Sequence, residues 1–258
     1  MLNSWFLSGL AILFVITLLW IVSLIVKNSS IIDIFWGPFF VLIVWVSFSV
    51  SQFHPGLRQW IVLTTVSLWG LRLGGYVFWR NHGKGEDFRY AAWRQQYGRT
   101  WVWRSFFQVF LLQGVLAWII SWPLVYIVSS PTPAGLTFLD GAGVLAWIIG
   151  FCFEAGGDYQ LAKFRADSGN KGKILQSGFW KYTRHPNYFG DSFQWWGWYV
   201  MALGTGGWWT VFSPAMMTFL LIKISGVALL ERTLAEKKPG YREYMEKTSA
   251  FFPWFPKS

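Results

Sequence analysis

Charge is scarce in this chain, and so are the residues that hold metals or staple small domains. Only 13% of the 258 residues are Asp, Glu, Lys or Arg, too few to coat a soluble domain of this length. One cysteine, Cys152, excludes a disulfide within the chain. Three separated histidines (His54, His82, His185) without His-x-x-x-His spacing offer no zinc site, and no metal is expected. Acids are the scarcer sign, 12 against 22 basic residues for a formal charge of +10. In a soluble protein that excess would suggest nucleic acid. Here the basic residues fall in short stretches between apolar runs, so nucleic acid is not an expected partner. No G-x-G-x-x-G stands between a strand and a helix, and no Walker A sequence occurs. A nucleotide would therefore be held outside the common soluble folds. Nothing resembles G-x-S-x-G either, which leaves Ser192 and His185 a weak nucleophilic pair.

What is abundant is apolar and aromatic: 54% hydrophobic residues, with 20 Trp, 24 Phe and 10 Tyr. The expected partner is a lipid bilayer. Apolar stretches of about 20 residues fall at Trp5–Val26, Ile34–Val50, Trp60–Trp79, Ser105–Val128, Gly141–Ala162, Tyr188–Leu203 and Trp208–Leu230. The first lacks a basic region before it and a cleavage site after it, so it reads as a retained helix. The expectation is an all-α polytopic protein of about seven transmembrane helices, with residues 1–258 as one membrane domain. With the N-terminus outside, all but Arg58, Arg72 and Lys223 of the 22 basic residues lie in inner loops or the tail, which an odd number of crossings explains. Trp5, Trp60, Trp79, Trp101, Trp103, Trp208 and Trp209 lie near span ends, as interfacial anchors do.

Ionisable groups inside spans must face protein, water or a ligand. Arg72, Glu154, Asp158 and Asp191 are such groups, and Asp33 stands at the entrance to the second span. Glu154 and Asp158 are four apart and Arg165 follows by seven, so one side of a helix carries all three. Two stacked carboxylates need a cation or a set of donors: Arg165, Arg184, or the groups of a ligand. The plainer alternative is a polar stripe met by another helix, for instance through Arg72. The inner loop from Gly172 to Asp191 packs cations, aromatics and amides around Pro186. Such a loop suits an anionic, partly aromatic ligand. Lys181 and Arg184 could meet phosphates, Asn187 and Asp191 a ribose or amide, and Tyr182 or Tyr188 a base. A basic loop that merely sets topology would explain its charges but not Asn187, Gly190 and Asp191.

These stretches resemble the steroid 5α-reductase-like membrane enzymes, most closely their bacterial branch. The likeness rests on Trp69-Gly70-Leu71-Arg72-Leu73 with Gly85-Glu86-Asp87-Phe88-Arg89-Tyr90. It continues in Gly157-Asp158-Tyr159-Gln160-Leu161 with Phe164-Arg165, and in Gly178 to Asp191. The last stretch is Pro239-Gly240-Tyr241-Arg242-Glu243-Tyr244 with Thr248 to Pro253. The resemblance implies NADPH bound by cytosolic loops and the last three helices, in a region spanning 154–258 with a contribution from 72–104. Asp158 and Arg165 would contact it, Asn187 and Asp191 would hold its nicotinamide or ribose end, and Arg80 would contribute. Tyr182, Arg184, His185, Tyr188, Arg232 and Tyr241 complete the candidate cofactor set. The implied reaction reduces a C=C bond conjugated to a carbonyl in a hydrophobic, lipid or steroid-like substrate. In the steroid enzymes a Tyr on the third span and a Glu on the second polarise the carbonyl. Here Trp69 takes the Tyr position and no Glu matches, so Asp33, Glu154 and Tyr76 are the candidate donors. The implied location is a bacterial inner membrane, N-terminus outside and C-terminus cytoplasmic.

Arg184 to Gly190 also looks like the cofactor loop of membrane S-adenosylmethionine-dependent methyltransferases acting on phospholipids or isoprenylcysteine. Those enzymes follow it with paired glutamates, where this chain has Glu231 and then Arg232. Asp158 with Arg165 suits a phosphorylated dinucleotide better than a cationic methyl donor. A transporter would show repeated halves with broken helices, and no internal repeat is visible.

Overall fold

The computed structural model describes residues 1–51, 55–131, 135–224 and 226–257. His54 and the side chain of Arg232 lie outside the described residues. Among those described the secondary structure is entirely helical. Five helices are long and apolar enough to cross a membrane: Leu2–Ile25, Ser29–Ser49, Leu57–Asn81, Phe88–Ile120 and Phe138–Ala166. The chain forms two compact units, Met1–Leu136 and Thr137–Ser258, where sequence alone suggested one domain.

In the first unit, α1 (Leu2–Ile25), α2 (Trp36–Ser49) and α3 (Leu57–Asn81) follow one another, with a 3-10 turn at Ser29–Phe35 before α2. Helix α1 buries Ser4, Ser8, Ile12, Ile16 and Ser23 while Leu2, Phe6, Leu10, Leu13 and Phe14 stay exposed. Small groups inward and large apolar groups outward is the pattern of a helix solvated by lipid. Helices α2 and α3 touch backbone to backbone: a Cβ on Gly37 would stand 2.4 Å from the Gly70 carbonyl oxygen. The helical run that follows is longer than the apolar stretch predicts. It begins at α4 (Phe88–Tyr97) and passes through α5 (Trp101–Ser105), a π-helical stretch at Phe106–Leu111 and α6 (Leu112–Ile120). It then breaks at Ser121, where Pro123 opens α7 (Trp122–Ser129). The expected span Ser105–Val128 is thus divided, since Pro has no N–H to continue the ladder.

The second unit starts with α8 (Phe138–Ala166), capped where Thr137 and Asp140 bond each other reciprocally. Helix α9 (Pro186–Leu203) returns antiparallel to it. Gly143 lies against Gly197 and Gly150 against Gly190, so close that an added Cβ would meet a carbonyl oxygen at 2.3–2.6 Å. Residues seven apart stay on one face of a left-handed helix pair, and glycine there lets the backbones meet. Helix α9 reaches 18 residues but is not one of the five apolar spans; it carries Asn187, Asp191, Ser192 and Gln194. The expected last span, Trp208–Leu230, is also divided. An apolar helix covers Trp208–Ile224, comprising α10 (Phe212–Phe219) and a π-helical stretch at Leu220–Ile224. Gly226 departs from helical geometry (φ −114°, ψ −105°) before α11 (Val227–Lys237) and α12 (Tyr241–Lys247). A Cβ at Gly226 would stand 2.1 Å from the Leu221 carbonyl oxygen, so the backbone folds back on itself there.

Candidate functional site

The glycine contact between α8 and α9 places two carboxylates opposite two amides. Gln194 Nε2 donates to Glu154 Oε2 at 2.6 Å, and one turn along Asn187 Nδ2 donates to Asp158 Oδ1 at 3.1 Å. Glu154 and Asp158 are 2% and 5% exposed, so these donors matter. Asn187 is delivered by Pro186, whose fixed φ suits the first turn of α9; its Oδ1 accepts the Tyr188 N–H at 3.1 Å. Asp191 is buried one turn further along the same helix. Arg165, expected as the countercharge, is exposed in the last turn of α8. Beside this polar ladder, Trp180 Nε1 donates to the Gly157 carbonyl at 3.1 Å, and Phe153 packs against Phe179 and Phe189.

The loop's Arg184 and His185 turn inward. Arg184 Nε donates to Glu231 Oε1 at 2.7 Å, and its Nη1 reaches the carbonyls of Met245 (2.8 Å) and Thr248. His185 Nε2 lies 3.2 Å from the same Glu231 oxygen, and its ring stacks on Tyr188. The Arg184 N–H donates to the Ser249 carbonyl, Thr183 Oγ1 to that of Phe251, and Trp254 N–H to that of Tyr182. Tyr182 also packs edge-on against Phe255. Together they bind the C-terminal tail to the loop that precedes α9. Burial works to raise the Glu231 pKa, but the hydrogen bonds from His185 and Arg184 prevail and hold it below its usual range. Burial and the nearby Glu231 charge push the Tyr241 phenol up to about 12.

The other sequence candidates lie in the first unit. Tyr76 packs near Trp79, and the exposed Arg80 sits 5.7 Å over the Tyr76 ring. Asp33 is at the centre of a network that sequence reading missed. Its Oδ1 accepts from Tyr90 Oη at 2.7 Å and Gln113 Nε2 at 3.1 Å, while Arg89 Nη2 is 3.4 Å from Oδ2. Gln113 also donates to Tyr90 Oη at 3.2 Å. Beside it, Arg94 grips Glu86 with two bonds of 2.8 Å, and Glu86 Oε1 caps the Ser29 N–H at 2.6 Å. Burial opposes ionisation of Glu86, yet Arg94 keeps its pKa low. Proximity in sequence of Glu86, Arg89, Tyr90 and Arg94 was the available signal; their partners lie 56 to 80 residues away. Among the described residues no three His, Cys, Asp or Glu side chains come together as a metal site.

These features belong to a polytopic membrane protein with a buried polar ladder. Residues 19–248 match the family described as protein of unknown function DUF1295, and the chain belongs to that family, one of 5α-reductase-like membrane proteins. It is also 25% identical over 282 residues to the uncharacterized protein C594.04c of Schizosaccharomyces pombe, covering 96% of this chain and 79% of that protein. No solved structure matches.

Proposed function

We propose that the chain is a membrane-embedded, NADPH-dependent reductase of a C=C bond conjugated to a carbonyl in a lipid or steroid-like substrate. The observation that carries this reading is the pairing of Asn187 with Asp158 where α8 and α9 meet. An amide and a carboxylate side by side can hold hydroxyl or carboxamide groups, which a dinucleotide supplies at its ribose and nicotinamide ends. The donor set fits: Asp158, Asn187 and Asp191 for those groups, Tyr182 and Tyr188 for stacking, and Arg165 for phosphate. Bound there, NADPH would supply the hydride. The chain's own residues would orient it, and the aromatic packing of Phe153, Phe179 and Phe189 would keep water from its reactive end. Arg184 and His185 act by holding the loop and tail in place. Asp33, Glu154 and Tyr76 remain the candidate proton donors.

The methyltransferase alternative draws less support. The glutamate it would use, Glu231, is engaged by both Arg184 and His185. The proposed topology has seven crossings, with α9 and the Trp208–Ile224 helix as the sixth and seventh. The N-terminus would be outside and the C-terminus cytoplasmic, in a bacterial inner membrane.

The test is ligand-dependent melting of purified protein in detergent. NADPH should raise the melting temperature, S-adenosylmethionine should not, and Asp158→Ala and Asn187→Ala should abolish the shift while the protein still folds. Stabilisation by S-adenosylmethionine alone would reverse the ranking of the two activities.

A further inference from the structure

At the end of α8, three segments bring cations together. Lys163 and Arg165 occupy the last helical turn. The chain then folds back: Asn170 Nδ2 donates to the Phe164 carbonyl at 3.2 Å, and the Lys173 N–H to the Asn170 carbonyl at 3.0 Å. From far along the chain, the turn between α11 and α12 adds Lys238, whose Nζ donates to the Lys173 carbonyl at 2.8 Å. Gly240, at φ +77°, makes that turn, and Ile174 lies against it.

The local acid does not neutralise this group, because Asp167 is occupied in its own loop. Its two oxygens accept from the Gly169 N–H (2.9 Å) and Asn170 Nδ2 (3.2 Å). Elsewhere in the unit, Glu231 serves Arg184 and His185, and Glu243 serves Lys247. A basic loop that only fixed membrane orientation would leave its lysines extended into water. Lys238 is instead half-buried and tethered to a backbone carbonyl. Its charge is disfavoured there, first by burial and then by the nearby Arg165. Holding an ammonium beside a guanidinium is a cost that a bound anion would offset.

We propose that Arg165 and Lys238, on the platform of the Lys173 loop, form a seat for a phosphate monoester. In its nucleotide form the inference rests on the reductase reading: the seat receives the phosphate on the adenosine ribose and makes the protein select NADPH over NADH. The same chemistry could come from an anionic lipid headgroup. Purified full-length protein is therefore melted with NADPH, NADH, 2′,5′-ADP and 5′-ADP, and in nanodiscs of phosphatidylcholine with or without phosphatidic acid.

NADPH and 2′,5′-ADP should stabilise more than their counterparts that lack the extra phosphate. Lys238→Ala should weaken both by about tenfold, as loss of one charge-assisted contact does. Lys238→Arg should retain most of the affinity, and raised salt should reduce it. If Lys238→Ala and Arg165→Ala bind NADPH like the parent, the seat is wrong while the reductase reading survives. If phosphatidic acid alone stabilises, in a Lys238-dependent way, the seat stands and the nucleotide reading falls. A Lys238→Ala protein that melts like the parent without ligand shows that the change acts through binding and not through folding.

Discussion

The contact between α8 and α9 gives the most direct prediction, because it can be tested within a single helix. A carbon and a carbonyl oxygen rest comfortably no closer than about 3.3 Å. A Cβ on Gly150 would stand 2.6 Å from the Gly190 oxygen and 2.8 Å from the Gln194 backbone N, and both are slow to give way. The overlap is roughly 0.7 Å, so Gly150→Ala must part the helices by a comparable amount. Overpacking of that kind costs about 1–3 kcal/mol. The same helix contains its own control: at Gly141 an added Cβ meets nothing within 4 Å. Gly141→Ala should be neutral or gain up to about 1 kcal/mol from helix propensity. Melting in a fixed detergent, or unfolding by added SDS, reads both. Parting the helices would also lengthen the Asn187–Asp158 bond one turn away, so Gly150→Ala should bind NADPH more weakly than Gly141→Ala. Equal stability of the two variants would refute the close packing and the placement of the polar ladder that follows from it.

Two other perturbations address the ionic and polar clusters. Glu231 has a folded pKa below its unfolded value, so its contribution is complete above the unfolded carboxyl pKa of about 4.3 and disappears as pH falls through the folded value. Glu231→Gln should therefore lose about 3 kcal/mol near neutral pH, with its melting curve converging on the parent's in acid; a gap independent of pH would contradict the ion pair. In the first unit, Asp33→Asn and Tyr90→Phe should each destabilise and should couple in a double-mutant cycle by about 1.5–3 kcal/mol, as a hydrogen bond to a carboxylate does. Additive effects would mean that the 2.7 Å contact is not made.

The long-range partners explain what the sequence could and could not reveal. Glu154 and Asp158 were legible as one face of a helix because their spacing is a property of α8 alone. Their donors, Gln194 and Asn187, were not, because they are fixed by the α8–α9 register. A signal for that register was present: Gly143, Gly150 and Gly157 recur at seven residues, as do Gly190 and Gly197. In an apolar stretch such glycines read as neutral unless two helices are compared. The cations of the inner loop invited a ligand reading for the opposite reason. A line of sequence shows that Arg184 is charged but not that a carboxylate 47 residues on lies beside it. The breaks at Ser121 and Gly226 were hidden because apolar composition persists through both, and hydropathy registers the solvent of a segment rather than the continuity of its hydrogen bonds.

Arg184 and Lys238 sharpen the distinction between cations that build the second unit and cations that could serve a ligand. Both belong to the same basic surface of the sequence, yet Arg184 satisfies a carboxylate and two tail carbonyls, whereas Lys238 rests on one carbonyl near a like charge. Removing the first leaves a buried acid and frees the tail, so its effect appears in the folding of the protein without any ligand. Removing the second relieves a repulsion and should leave the ligand-free protein as stable or more so. A residue whose loss harms binding while sparing or improving stability is behaving as part of a site. Arg184 and Lys238 should therefore separate on those two axes, even though composition and topology assign them the same role.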